Sequence, residues 1–191
     1  VTKTRIVLIS GKQGSGKTTL STGLLRALVR GSYPPGVAKK FAAPLYAMHE
    51  ACREVAERWG IPFAAKEGRL LQLLGTEWGR AAKGDGVWVD ALKREVARWP
   101  GWTVVIDDCR FLNEVTAWDG DPDYEVVKVR LEASSATRRE RAEGWREDEV
   151  HSSETGLDGY TGWDLTVHTG VMGPEETLGL VLDYLKEDMG C

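Results

Sequence analysis

Eight consecutive residues constrain this chain more than any other feature: Gly11-Lys12-Gln13-Gly14-Ser15-Gly16-Lys17-Thr18 fits the pattern GxxxxGK[ST] in full. Glycines at those positions permit consecutive backbone N–H groups to turn inward around phosphate oxygens. The motif follows a short apolar run, Ile6–Ile9, and leads into a stretch where Leu20, Leu24 and Leu28 recur at helical spacing. A strand, a glycine-rich turn and a helix N-terminus in that order make an anion site, because the helix dipole adds to the loop's N–H groups. In that setting Lys17 reaches the β- and γ-phosphates and the Thr18 hydroxyl ligates Mg²⁺. The expected nucleotide-binding set is Gly11, Lys12, Gly14, Ser15, Gly16, Lys17, Thr18 and Thr19, with ATP and Mg²⁺ as the cofactors.

The rest of the chain alternates in the same manner. Arg5–Ser10 reads as a buried strand, and a helix runs from about Lys17 to Arg30, where Gly31 stops it. Val37–Ala42 is a candidate second strand, and Pro44 opens a helix that runs to Trp59. Glu67–Leu74 and Trp88–Trp99 read as helices, and Trp102–Ile106 and Tyr124–Leu131 as strands. Ser134 or Ser135 caps the next helix, Asp164–Val167 is a last strand, and Pro174–Lys186 a closing helix. Gly144–Gly162 is rich in charge and glycine and has little periodicity. Strands alternating with helices imply a parallel sheet covered on both faces, the α/β three-layer αβα sandwich of P-loop NTPases, with ligands beyond the carboxyl ends of the strands. With 191 residues, no repeat and no low-complexity linker, 1–191 is expected to be a single domain.

Composition narrows the partners. A formal net charge of −4 argues against stable, sequence-independent binding to nucleic acid, which needs a basic footprint. No apolar run approaches the roughly 20 residues that span a bilayer, and the first apolar stretch is too short for a signal peptide, so a cytoplasmic protein is expected, in the host cytoplasm if viral. Cys52, Cys109 and Cys191 form no CxxC pair and His49, His151 and His168 are scattered, which argues against a disulfide framework or a zinc site. The expected partner is a small-molecule nucleotide, and the chain a monomer or homodimer.

A second carboxylate usually completes a P-loop site. Thr103-Val104-Val105-Ile106-Asp107-Asp108 is an apolar strand ending in acids, which suits an oxygen donor to Mg²⁺ opposite Thr18. The metal set is therefore Thr18, Asp107 and Asp108. Among P-loop classes, a signalling GTPase needs an NKxD-type loop, and the only Asn, Asn113, is not in one. A motor or packaging ATPase needs arginine fingers aimed at a partner and usually more chain. A small-molecule kinase needs an acceptor pocket and a cationic lid. Arg138, Arg139 and Arg141, ahead of a segment through Arg146, supply such a lid over about 138–162, or else a solvated face paired with Glu140 and Glu143. For the acceptor, about 40–99 offers Gln72 to hydrogen-bond a base or sugar, Arg80 to hold a phosphate, and Trp78 or Trp88 to stack, or both tryptophans belong to the core.

Five stretches together point to a family: Gly11–Thr18, Phe41-Ala42-Ala43-Pro44-Leu45, Leu71–Glu77, Asp108-Cys109-Arg110-Phe111-Leu112-Asn113-Glu114 and His151-Ser152-Ser153-Glu154-Thr155-Gly156-Leu157. In this order they resemble the bacteriophage-type deoxynucleoside monophosphate kinases, and the framework is similar to that of animal-type phosphomevalonate kinase. The resemblance implies an adenylate-kinase-like core with NMP-binding and lid regions and ATP-dependent transfer to a (deoxy)nucleoside 5′-monophosphate. A phosphomevalonate-type kinase, or a P-loop ATPase working with a macromolecule, is the alternative. It further implies that Lys12 and Lys17 contact ATP phosphates, that Asp108 and Arg110 face the transfer centre and that Arg141 closes from the lid. His168-Thr169-Gly170 then lies against adenine. The catalytic set is Lys17, Asp108, Arg110, Arg138 and Arg141, and the acceptor set is Lys39, Gln72, Trp78, Arg80, Trp88, Arg110 and Glu154.

Overall fold

The computed structural model describes residues 3–31, 34–142 and 152–187, with the side chains of 152 and 153 left aside. The backbone clusters into two compact units, one formed by 1–39 with 99–191 and the other by 40–98.

The larger unit is built on five strands: β1 (Thr4–Ser10), β2 (Gly36–Lys39), β3 (Thr103–Ile106), β4 (Tyr124–Glu132) and β5 (Leu165–His168). All pair in parallel, in the order β2-β3-β1-β4-β5. A parallel sheet flanked by helices buries both faces of its strands, and so β1 carries four successive apolar residues, Ile6 to Ile9, each fully buried. Helices α1 (Lys17–Arg30) and α8 (Pro174–Glu187) pack on one face. There Leu20, Leu24 and Leu28 of α1 and Val181 and Leu185 of α8 join Val7, Ile9, Val105, Val129 and Val167 in one core. Truncating a leucine as enclosed as Leu24 costs about 2–5 kcal/mol in such packing. This is the expected α/β three-layer sandwich.

Register decides what meets at the sheet's edge. Leu8 is level with Ile106, Ser10 with Arg130, and Glu132 with His168. The carboxyl ends of β1, β3, β4 and β5 therefore deliver the Gly11 loop, Asp107-Asp108, Arg130 to Glu132 and the 168–171 turn to one rim. Because β1 has neighbours on both sides, its loop sits where connections diverge, the usual place for ligands in such sheets. Two short helices follow this rim, α5 (Leu112–Val115) after β3 and α6 (Ser135–Arg141) after β4. The Ser134 Oγ caps α6 by accepting from Thr137 N at 3.1 Å. A further turn, α7 (Ser152–Thr155), lies in the stretch whose sequence showed little periodicity.

The smaller unit is helical: α2 (Ala43–Arg58), α3 (Gly68–Gln72), a π-helix (Leu73–Ala81) and α4 (Val87–Val96). Pro44 sits in the first turn of α2. The expected helix over Glu67–Leu74 is α-helical to Gln72 and continues as the π-helix, on which Trp88 packs closely. A Cβ on Gly79 would lie 2.4 Å from the Trp88 ring, and the Trp88 Nε1 donates to the Gly75 carbonyl at 3.0 Å. Gly79 leaves room for the ring that a side chain would fill. The second strand is shorter than expected, because 41 and 42 already turn toward α2. Among the described residues no helix is long and apolar enough to cross a membrane.

Candidate functional site

The loop between β1 and α1 is shaped by its glycines. Gly14 (φ 77°) and Gly16 (φ 95°) take left-handed backbone that a side chain would strain. A Cβ on Gly14 would meet the Arg138 carbonyl oxygen at 2.4 Å, so α6 lies directly against the loop. A Cβ on Gly16 would meet no protein atom within 4 Å, and the Leu20 N–H bonds to the Gly16 carbonyl at 3.0 Å to start α1. The Lys17 ammonium donates to the carbonyls of Gly11 (2.6 Å) and Lys12 (3.0 Å). Burial and then the Arg110 charge lower its pKa to about 8, with Arg130 adding to this and Glu154 and Asp107 opposing it.

The loop already holds an anion. One oxygen of the Glu154 carboxylate accepts from Gln13 N at 2.9 Å, and the other accepts from the Arg110 guanidinium. Burial raises the Glu154 pKa, but Arg110, the Gln13 N–H and Lys17 together hold it below the ordinary value. Four residues on, Asp158 accepts from Lys12 Nζ at 2.8 Å and from Arg130 at 3.3 Å. Arg130, 8% exposed, also donates to Ser10 Oγ and lies 5.6 Å from the Trp163 ring centre. Lys12, Asp158 and Arg130 line a cavity of about 700 Å³, which continues past Glu132, Thr137 and Arg138 to His168 and Gly170. That size is within the range of small-molecule sites.

The structure brings most of the expected nucleotide set together at this rim. Thr18 and Thr19, in the first turn of α1, are exposed. Thr169 is buried, and its hydroxyl donates to the Ser15 carbonyl at 2.9 Å, which ties the loop after β5 to the cradle. Arg141 donates to the Thr169 carbonyl at 3.0 Å and Arg138 to the Gln13 carbonyl at 3.3 Å. Arg139 is exposed. His168 is exposed, its Nδ1 3.6 Å from the Glu132 carboxylate. The part of the lid reading over 143–151, including Glu143 and Arg146, falls outside the described residues, as do His151 and Cys191, while 152–162 lies within them.

Among the metal candidates, Asp107 is buried and accepts from Ser21 Oγ at 3.1 Å. Ser21 stands three residues after Thr18 on α1, so this carboxylate lies beside the helix face that carries Thr18. Hydroxyl and carboxylate oxygens are hard donors, the type Mg²⁺ takes, and Mg²⁺ typically adds substrate phosphates and water rather than a full protein cage. The donor set fits that ion. Asp108 is half-buried at the same strand end.

The acceptor candidates divide. Lys39, at the end of β2, has its Nζ 4.6 Å from the Trp99 ring centre. In the smaller unit Trp88 is 4% exposed and belongs to the packing, while Trp78 is 41% exposed with Lys83 Nζ 5.5 Å from its ring centre. Gln72 is exposed, and Arg80 donates to the Asp85 carbonyl at 3.3 Å.

Two site residues escaped the sequence reading, Arg130 and Asp158. A signal existed for the first. β4 alternates Val127, Val129 and Leu131 with Lys128 and Arg130, and a cation in a strand paired on both sides is rarely buried without an anionic partner. Asp158, in an aperiodic stretch, left none.

No family model and no curated protein matches the chain. Its fold is similar to solved structures. One is a protein called APE1195, at 18% identity and TM-score 0.58 over 98% of this chain and 97% of that one. Another is a sugar kinase from Janibacter sp. HTCC2649, at 17% identity and TM-score 0.54 over 96% of this chain and 95% of the other. The chain thus shares an α/β architecture over its whole length with proteins of very different sequence.

Proposed function

We propose that this chain is an ATP-dependent kinase whose acceptor is itself a phosphate, a (deoxy)nucleoside 5′-monophosphate. The observation that carries the reading is the convergence of Lys12, Lys17, Arg110 and Arg130 on a backbone cradle that already binds a carboxylate. Arg138 and Arg141 extend the cationic wall. A similar fold in a sugar kinase agrees with phosphoryl transfer to a small molecule. The acceptor residues of the resemblance, Gln72, Trp78 and Arg80, offer a neutral amide, a half-exposed ring and a cation, a mixture that suits a nucleotide better than a short isoprenoid phosphate.

In the reaction an oxygen of the acceptor phosphate forms a bond to the γ-phosphorus in line as the bond to the β–γ bridging oxygen breaks and ADP leaves. That acceptor oxygen is already anionic near neutral pH, and no strong base is needed. Lys17 and the guanidinium groups stabilise charge that spreads over the equatorial oxygens, and the loop N–H groups hold the phosphate chain in line. Thr18 and Asp107 or Asp108 would hold Mg²⁺, which would supply further neutralisation of the phosphates. Asp108 orients rather than accepts a proton.

The test is a panel of nucleoside and deoxynucleoside monophosphates, phosphomevalonate and free sugars, each with ATP, with ADP and phosphorylated acceptor both quantified. The reading expects stoichiometric dNDP or NDP from at least one monophosphate. Exclusive phosphorylation of phosphomevalonate or a sugar would overturn the nucleotide acceptor while leaving the cradle assignment in place.

A further inference from the structure

Glu154 and Asp158 come from one short stretch and take up donors that a polyphosphate chain would use. Leu157, 3% exposed, anchors that stretch between them, and backbone turns from Thr155 to Asp158 and from Leu157 to Tyr160 hold its shape. Glu154 bonds a cradle N–H and Arg110, and Asp158 bonds Lys12 and Arg130 on the wall of the cavity. Each carboxylate bridges two separate donors, so these are two anion subsites, one at the loop and one beside the cavity. Charge-assisted bonds of this type are about twice as strong as neutral ones, and an incoming anion has to replace them.

We infer that Glu154 and Asp158 are a selectivity device of the nucleotide site: polyphosphate binds by displacing both carboxylates, and the pair thereby disfavours short anions. The inference rests on the proposed nucleotide site and adds to it the residues that set its preference. Orthophosphate covers one subsite and leaves the other carboxylate in place. A triphosphate, with more phosphoryl groups and more charge, is inferred to replace both, and its binding releases Glu154 from Arg110. Arg110 is then available to the phosphoryl group in transfer. On this account Glu154 does not bind the acceptor; it competes with the donor's phosphates.

The experiment titrates tripolyphosphate, orthophosphate, ATP and adenosine into the full chain by calorimetry, for the wild type, Glu154→Gln, Asp158→Asn and the double variant. Each single substitution is expected to tighten tripolyphosphate and ATP by about tenfold, with the effects combining in the double variant. Orthophosphate should gain no more from the double change than from the better single one, and adenosine should be unaffected. A gain in affinity cannot come from a misfolded variant, and a rise in melting midpoint on adding tripolyphosphate gives an independent reading of the same order. If the wild type binds tripolyphosphate and the variants bind it no more tightly, the carboxylate inference falls alone. If neither the wild type nor the double variant binds ATP or tripolyphosphate, the nucleotide site falls with it. Binding that appears only in the double variant supports both.

Discussion

Lys17 gives the account its most quantitative test, because its charge is needed and its surroundings work against it. Burial and the neighbouring Arg110 bring its pKa to about 8 from an ordinary 10.5. A bound triphosphate stabilises the ammonium and moves that pKa back up, so binding takes up a proton wherever the free protein has lost it. With a pKa near 8 the charged fraction falls about tenfold between pH 7 and pH 9, and affinity for ATP should fall by the same factor. Glu154, Cys109 and the nucleotide's own phosphate leave this window clear. Glu154 titrates below the ordinary carboxylate range, burial pushes the Cys109 thiol well up, and a phosphate monoester's second pKa of about 6 is already passed. Calorimetry at pH 7, 8 and 9 in buffers of different ionisation enthalpy reads both affinity and proton uptake, and uptake should approach about half a proton at pH 8. Lys17→Arg keeps a charge at every accessible pH and should flatten the profile. For the unliganded chain the sign also follows. A folded pKa below the unfolded one makes the fold less stable at neutral pH and restores stability as pH rises from about 8 toward 10.5. Affinity that stays level from pH 7 to 9, or proton release on binding, would refute the reasoning.

Two further substitutions probe how the rim is assembled. Gly14→Ala imposes a strained φ of 77° and a Cβ 2.4 Å from the Arg138 carbonyl, so it should destabilise by more than the roughly 1–2 kcal/mol of backbone strain alone and weaken ATP binding. Gly60→Ala, at φ 65° with nothing within 4 Å, is the control that should show only the backbone term in a thermal melt; equal costs at both positions would mean that α6 does not press on the loop. Thr169→Val removes the hydroxyl bonded to the Ser15 carbonyl and should cost about 1 kcal/mol while raising the KM for ATP more than it lowers kcat. An unchanged KM would show that this tie does not position the cradle.

How much of this was legible beforehand depends on where the causes lie. The cradle and the sheet were local. GxxxxGK[ST], the apolar run of β1, the leucine spacing of α1 and the Ser134 cap each follow from neighbouring residues, and each reappears in the fold. The site's remaining members depend on register and on distant packing. Arg130 reaches the rim because β4 pairs with β1 so that it lies level with Ser10. Asp158 faces it across 146 residues of sequence from Lys12. Glu154 carried a signal from its motif, but its direction, toward Gln13 and Arg110, is a tertiary fact. The π-helix was equally out of reach, because nothing in Leu73–Ala81 itself distinguishes it from an α-helix, and the close fit of Gly79 to the Trp88 ring is a tertiary fact.

The central claim is that the phosphoryl group leaving the cradle goes to an organic phosphate and not to water. The direct measurement follows the label of γ-³²P-ATP in one mixture with Mg²⁺ and a set of deoxynucleoside monophosphates, separating nucleotides from inorganic phosphate over time. The account predicts label in the β-position of a dNDP, with little inorganic phosphate, and a drop of several orders of magnitude for Lys17→Ala. Label recovered only as inorganic phosphate at the same rate with and without acceptor, or transfer undiminished in Lys17→Ala, would contradict it.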